Sequence, residues 1–364
     1  MSSSPVVRRP WRKRIVAVHR WLGIGAAAFW LIQAVTGTLL AFHFEIEDAL
    51  LSSRHPPTDL AAIEQRIDAF AAAGGEAKVN WIWTTAGLPD RYIVSHVGTD
   101  GAARRAYIDG SGAVLRDKAA NDHSFLKLVR EIHLTLAAGT IGHWLLAVTG
   151  LLLVTNLLAG LAVAWPARGQ WRAALRPRGD TSRPSGLHSW HRAVGLWAVA
   201  PAIVIAATGT LMLFEHELGE LLGVPEIALP ANPPRGEAVG FAAAARAATA
   251  AIPGSRFVVT TLPSPADASY YAWVRAPGEL YRGGYGGSLV IVDANDGKVR
   301  GAWPVTEADP ARAFLASFYP LHTGESLGTT GRVLSMAIGV WLTVSIVLGT
   351  LLWLRRRPVR KQAS

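Results

Sequence analysis

A chain of 364 residues that is half apolar and has no cysteine excludes a disulfide scaffold, thiolate-held iron–sulfur clusters, zinc–thiolate sites and covalent c-type haem. Any metal it carries must be held by histidine or oxygen. The net charge of +10 is concentrated: residues 1–20, 165–192 and 355–364 hold 17 of the 36 Lys and Arg and one of the 26 Asp and Glu, a membrane-orientation pattern that requires no nucleic acid.

Four windows, 21–44, 144–165, 193–214 and 333–354, contain no Asp, Glu, Lys or Arg. At about 1.5 Å rise per residue each reaches over roughly 30 Å, the thickness of a bilayer's hydrocarbon core. The expected fold is therefore a membrane protein, a four-helix transmembrane bundle. Because the basic clusters mark the cytoplasmic side, the chain divides into a cytoplasmic N-terminus with the first span (1–44), an outer domain (45–142), the second span (143–165), a cytoplasmic loop (166–190), the third span (191–214), a second outer domain (215–331), the fourth span (332–354) and a cytoplasmic tail (355–364). Both termini are expected to be cytoplasmic and the two long segments to face outward. The first apolar run exceeds a signal-peptide core and lacks an A-x-A site near Phe44, so it reads as an uncleaved anchor.

The two outer segments each have an α+β pattern. In the first, Asp59 precedes a helical DLAAIEQRIDAFAAA, followed by strand-like stretches at Val79–Thr84, Arg91–His96 and Ala103–Ile108 and the turn in YIDGSGAVL from Tyr107. The second segment repeats the plan with a helix from Phe241, strands near Phe257–Thr261, Tyr270–Val274 and Leu289–Val292, and a turn in VDANDGKV. Each segment ends in an amphipathic stretch, HSFLKLVREIHLTL from His123 and FLASFYPLHTG from Phe314, suited to lying on the membrane surface.

The chain repeats itself. HRWLG at His19 and TGTLLAF ending at Phe42 return as HRAVG at His191 and TGTLMLF ending at Phe214, 172 positions on; His133, Gly139 and Gly142 return as His322, Gly328 and Gly331, 189 positions on. Such a repeat indicates an internal duplication. A pseudo-two-fold axis between halves sets His19 against His191 at the inner side and His133 against His322 at the outer side, and two facing imidazoles suit a b-type haem. Gly23 and Gly195, four residues after His19 and His191, lie on the same helical face and offer room for a porphyrin edge. Arg20 and Arg192 are candidates for the haem propionates. His43, His216 and His143 stand near the outer pair and leave its membership open, the position matching His143 being Arg332; His188 is an inner alternative, while His55, His96 and His123 read as loop residues. The tryptophans near the span ends read as an aromatic belt.

HRWLG with TGTLLAF, their repeats, LHTG at Leu321–Gly324 and the loop strands YIDGSGAVL and VIVDANDGKV resemble the PepSY-associated transmembrane helix family of iron-regulated membrane proteins. The resemblance implies a bacterial inner membrane with the two long segments in the periplasm as PepSY-like domains, and two b-type haems, with His19 and His191 as inner and His133 and His322 as outer ligands. Relatives similar to this chain include ferric-siderophore reductases. The implied activity is haem-dependent electron transfer that reduces a ferric siderophore or other ferric chelate at the outer face. The sequence has no nicotinamide or flavin fingerprint: GGYGGS at Gly283 lacks a strand-to-helix context. The electron donor must be separate, a quinol or a flavoprotein. The alternative is a non-enzymatic membrane protein whose loops bind or restrain a periplasmic protease or peptide. A chelate permease is disfavoured, because the spans carry few polar residues beyond Gln33 and Asn156.

Overall fold

The computed structural model describes residues 10–73, 79–85, 88, 90–122, 124–225, 227, 229–279 and 286–356. His123, Gly283 to Tyr285 of the glycine-rich run, and the terminal bases Arg8, Arg9, Arg357, Arg360 and Lys361 lie outside the described residues. The helices are α1 (Pro10–Gly25), α2 (Ala27–Leu40), α3 (His43–Ala49), α4 (Leu60–Ala73), α5 (Phe125–Thr135), α6 (Gly139–Ala164) and α7 (Trp171–Ala174). They continue as α8 (Pro184–Trp197), α9 (Val199–Leu211), α10 (Glu215–Leu221), α11 (Phe241–Ala251), α12 (Pro310–Ala316), α13 (Phe318–Thr323) and α14 (Gly328–Arg355). The strands are β1 (Trp81–Thr84), β2 (Arg91–Val97), β3 (Ala103–Asp109), β4 (Val114–Ala119), β5 (Arg256–Thr261), β6 (Ser269–Arg275), β7 (Ser288–Asp293) and β8 (Val299–Trp303). These elements fall into two compact units. One is helical and contains Met1–Ala41, Leu126–Leu213 and Arg332–Ser364; the other contains Phe42–Phe125 and Phe214–Gly331 and carries the strands.

In the helical unit the charge-free windows become helix, because backbone groups in hydrocarbon must bond within their own segment. Gly139–Ala164, Val199–Leu221 and Glu325–Arg355 are long and apolar enough to cross a membrane, and the pair Trp11–Gly25 and Ala27–Leu40, bent by 66°, makes a fourth if counted as one span. The expectation of uninterrupted first and third spans is corrected here. The first breaks at Ala26 (φ −109°, ψ 4°) and the helix after His191 breaks at Ala198 (φ −136°, ψ 19°), positions separated by the same 172 residues as the histidine repeat. Pro201, three residues beyond Ala198, lacks the N–H that would continue the helical ladder. No proline accompanies the break at Ala26, which falls just after Gly23 and Gly25.

Small residues let these helices touch. A Cβ on Gly339 would lie 2.2 Å from Thr38 Oγ1, and one on Gly150 would lie 2.4 Å from Thr210 Oγ1. Both contacts therefore require glycine, and they again match across the two halves. Ala26, Trp30 and Leu153 form the buried centre, and the Trp30 indole N–H donates to the Thr149 carbonyl at 2.9 Å. Arg332, buried, donates to the Ala41 carbonyl from Nε at 3.1 Å and from Nη2 at 2.5 Å. The residue matching His143 is thus a cap on the end of α2.

The second unit differs from the two separate domains expected. All eight strands form one antiparallel sheet in the order β4-β3-β2-β1-β5-β6-β7-β8. The halves join where β1 meets β5, Trp81 opposite Thr261 and Trp83 opposite Val259. Alone, each half would end on an edge strand rich in Trp, Ile, Val and Thr; pairing the two edges satisfies their backbone groups and removes an aggregation-prone border. The strands of each half otherwise lie within two residues of the sequence expectation, and Asp59 caps α4 through Oδ1, which accepts from the N–H groups of Ala61 and Ala62. The Phe314–Gly324 stretch is two short helices, α12 and α13, interrupted at Ser317.

Helices α4 and α11 cover the sheet core, with Phe241 and Ala245 of the second half packed among Ile63, Ile67, Ile82 and Val94 of the first. Glu64 on α4 reaches the start of α11, where Oε2 accepts from the Ala242 N–H at 2.6 Å. One half's carboxylate therefore caps the other half's helix. Glu64→Ala is expected to cost about 1–2 kcal/mol, the loss of a charged N-cap, read as a lower melting temperature of the purified protein. An unchanged melting temperature would show that the cap contributes nothing.

Candidate functional site

The helical unit brings His19 of α1 and His191 of α8 face to face, with ring centroids 6.1 Å apart and planes inclined by 34°. They are 172 positions apart in sequence, so only the packing of the two halves makes them neighbours. Nδ1–H of His19 donates to the carbonyl of Asn156 on α6 at 3.0 Å. This leaves the lone pair on Nε2. Oδ1 of Asn156 and Oγ of Ser345 are buried without a hydrogen-bond partner, while His191 is turned to the backbone of Ser345, 189 positions on from Asn156. Two orphaned polar atoms in a bundle core are costly, and they belong to α6 and α14, the helices that flank this pair.

Each ring rests on a glycine. A Cβ on Gly160 would lie 2.9 Å from Cε1 of His19, and one on Gly349 would lie 3.0 Å from Cε1 of His191. These two glycines were missed in reading the sequence, yet they share the offset of 189 that links His133 to His322, and that signal was available. The expected glycines behave differently. Gly23 faces Asn156 Nδ2 at an ordinary 3.6 Å, and a Cβ on Gly195 would meet nothing within 4 Å. Neither touches a ring, although the open space at Gly195 is the kind of clearance the sequence suggested.

Of the two arginines considered for the propionates, Arg192 is engaged at a helix end and Arg20 is exposed. Arg192 donates from Nε (3.3 Å) and Nη2 (3.1 Å) to the Ala164 carbonyl, and Arg12 reaches the neighbouring Val163 carbonyl. Both cap the end of α6, where the helix dipole favours cations. Arg20 is exposed and lies over the Trp21 ring at 5.1 Å.

His133, in the last turn of α5, belongs to the same helical unit. Thr36 donates its hydroxyl hydrogen to the Ile32 carbonyl at 2.7 Å, so at 3.0 Å it accepts from Nδ1–H of His133. A Cβ on Gly37 would lie 2.9 Å from Cε1 of His133. His133 thus has the tautomer of His19 and the same kind of glycine support. His322, near the end of α13, belongs to the other unit, as do His43 and His216. His216 is exposed and pairs with Glu220 at 3.4 Å. His143 lies in the first turns of α6 with its ring 5.7 Å from that of Trp144. His188 is exposed on α8. His55 contacts Asp48 at 3.1 Å. His96, which the sequence placed both at the end of a strand and among the loop histidines, is buried on β2, where it bonds Asp117 and stacks on Phe70 at 4.2 Å.

Among the described residues no group of three or more His, Cys, Asp or Glu could hold a metal ion. The His19–His191 pair is two nitrogen donors with no carboxylate beside them. A metal bound there must bring its remaining ligands with it.

A helical unit of apolar spans built around opposed histidines, with an antiparallel sheet unit contributed by the segments between spans, defines a membrane protein of the PepSY-associated type. The chain belongs to the family described as the PepSY-associated TM region, whose profile matches residues 16–356. No curated protein matches it in sequence.

Proposed function

We propose that this chain is an electron carrier of the bacterial inner membrane that reduces a ferric chelate, such as a ferric siderophore, at the periplasmic face. The observation that carries the proposal is the His19–His191 pair. A metal–imidazole bond of about 2 Å on each side, with about 1 Å more from nitrogen to ring centre, separates two rings on one metal by about 6 Å; the observed separation is 6.1 Å. A pair with no third protein donor suits a b-type haem, which supplies the other four nitrogens. The Asn156 carbonyl, by holding Nδ1–H of His19, directs the Nε2 lone pair toward the metal, the usual second partner of a ligating histidine. The open space at Gly195 fits the same group.

A haem bound by this pair supplies reversible one-electron chemistry. His133, with its tautomer set by Thr36, is the ligand proposed for a second haem, and His322 is the sequence-based choice for its partner. Each electron delivered converts one Fe(III) chelate to Fe(II), whose affinity for hard oxygen donors is far lower, so the iron is released. That step needs no general acid or base. The donor is a separate quinol or flavoprotein, and Arg12 and Arg192, engaged at the end of α6, anchor the cytoplasmic end of the bundle.

The test is a dithionite-minus-oxidised spectrum of the purified full-length protein with haem counted per chain. Two haems per chain, with the α-band of low-spin b haem, are expected, and His322→Ala should remove one. A colourless protein would overturn the proposal and favour a loop-mediated protease- or peptide-binding role.

A further inference from the structure

Two arginines of the sheet unit stand directly opposite each other with no acid between them. Arg256 opens β5, Arg275 closes β6, and the two are paired across the strands. Like charges set opposite in this way cost stability, and elsewhere in the sheet the cost is offset. Arg105 faces Lys118, which lies 3.7 Å from Asp122 and over the Tyr107 ring; His96 and Arg104, also opposed, share Asp117. The guanidiniums of Arg256 and Arg275 make no hydrogen bond or ion pair among the described residues.

Both arginines line a mostly polar hollow of about 310 Å³, walled by the turn before β5 and the loop after β6. The two walls touch: a Cβ on Gly254 would lie 3.1 Å from Cγ of Pro277. The lining also holds Glu279, which is buried and already engaged, its Oε1 accepting from the Ser288 hydroxyl at 2.5 Å. Burial pushes its carboxyl above the usual carboxylate range, against the opposing pull of Ser288, the backbone and Arg275. Two adjacent guanidinium forks without partners suit carboxylates, which accept from such forks bidentately. The volume is at the small end of the roughly 300–1,000 Å³ typical of small-molecule sites, which favours a compact ligand over a polypeptide. We infer that this hollow binds a small anionic chelate of ferric iron by its free carboxylates, held side by side by Arg256 and Arg275. The inference rests on the proposed reduction of ferric chelates and names the class of substrate, carboxylate-bearing chelates in preference to hydroxamates without a free carboxylate. One site per chain is expected, since β2, equal in length to β6, ends on Val97 where β6 ends on Arg275.

Full-length protein in phosphatidylcholine nanodiscs is dialysed to equilibrium against ferric citrate carrying radioactive iron. One saturable site per chain is expected, weakened about tenfold in Arg256→Gln and about tenfold in Arg275→Gln, each the loss of a charged hydrogen-bonding partner. Arg275→Lys, which keeps the charge and loses the fork, should weaken binding less. Neither glutamine variant should lower the melting temperature, because each relieves the opposed charges; arginines with a merely structural role would lower it. Ferric desferrioxamine, without a free carboxylate, should not compete. Absence of saturable binding, indifference to both glutamine variants, or equal displacement by sulfate at matched ionic strength, which would mean an unselective anion hollow, overturns the inference. So does stronger displacement by a peptide with a free C-terminal carboxylate than by citrate, which would make the ligand a peptide. Binding requires no haem. In a second arm, protein reduced with stoichiometric dithionite is mixed with each chelate and haem reoxidation is followed. Citrate binding with no reoxidation by either chelate keeps the site and sinks the electron-carrying reading; reoxidation by ferric desferrioxamine in a protein that binds no ferric citrate does the reverse.

Discussion

His191→Ala is expected to lower the haem content from two per chain to one, measured as pyridine haemochrome against protein concentration. His191 and His19 address one site, their rings 6.1 Å apart, and among the described residues no group of three or more His, Cys, Asp or Glu could hold a metal in their place. His19→Ala should therefore give the same half-loaded protein, and the double variant should lose no more than each single one. This non-additivity is the signature of two groups acting on one site. In haem-free protein, removing His19 breaks its bond to the Asn156 carbonyl and should cost about 1 kcal/mol. Loss of both haems from folded single variants, or of neither, would dissolve the inner pair as a site.

The second large effect concerns the glycines under the rings. Gly349→Val should displace the His191 imidazole, because a Cβ there would already lie 3.0 Å from Cε1 and the two further methyl groups add to the clash. Overpacking of this kind costs about 1–3 kcal/mol. Gly160→Val should act on His19 in the same way. Both are expected to lower the melting temperature and to change the low-spin haem signals in electron paramagnetic resonance, which depend on the angle between the two imidazole planes. Gly195→Ala is the contrasting case: nothing lies within 4 Å of the added carbon, and exchanging glycine for alanine inside a helix stabilises by about 0.5–1 kcal/mol. Haem-free protein should gain accordingly. If haem loading falls despite that gain, the space beside Gly195 is occupied by the porphyrin edge. A Gly349→Val protein with unchanged melting and unchanged haem signals would refute the supporting role.

The strands were legible because their side chains alternate and their turns carry Asp and Gly. In β3–β4, Oδ1 of Asp109 accepts from the N–H groups of Ser111 and Ala113, a local arrangement that any reading of YIDGSGAVL contains. The joining of β1 to β5 was not legible. Its residues, Trp81 and Thr261, are far apart in the chain, and an edge strand looks the same in sequence whether it meets water or another strand. The break at Ala26 was hidden for a related reason: apolar composition reports depth in the bilayer and is silent about helix direction. The bond from Arg192 to the Ala164 carbonyl was not legible either, because positive charge near a histidine looks the same in sequence whether it faces a propionate or the end of a helix.

By itself the sequence determined the number of apolar runs, the repeat and which histidines recur in it, since these depend on residue type and on spacing along one chain. The tertiary structure decided which histidines meet, which glycines support them, and that both outer segments share one sheet. Each of these depends on which surfaces of separate helices or strands come within a few ångströms of one another. Proximity of that kind is created by packing, and residue order along the chain does not encode it locally.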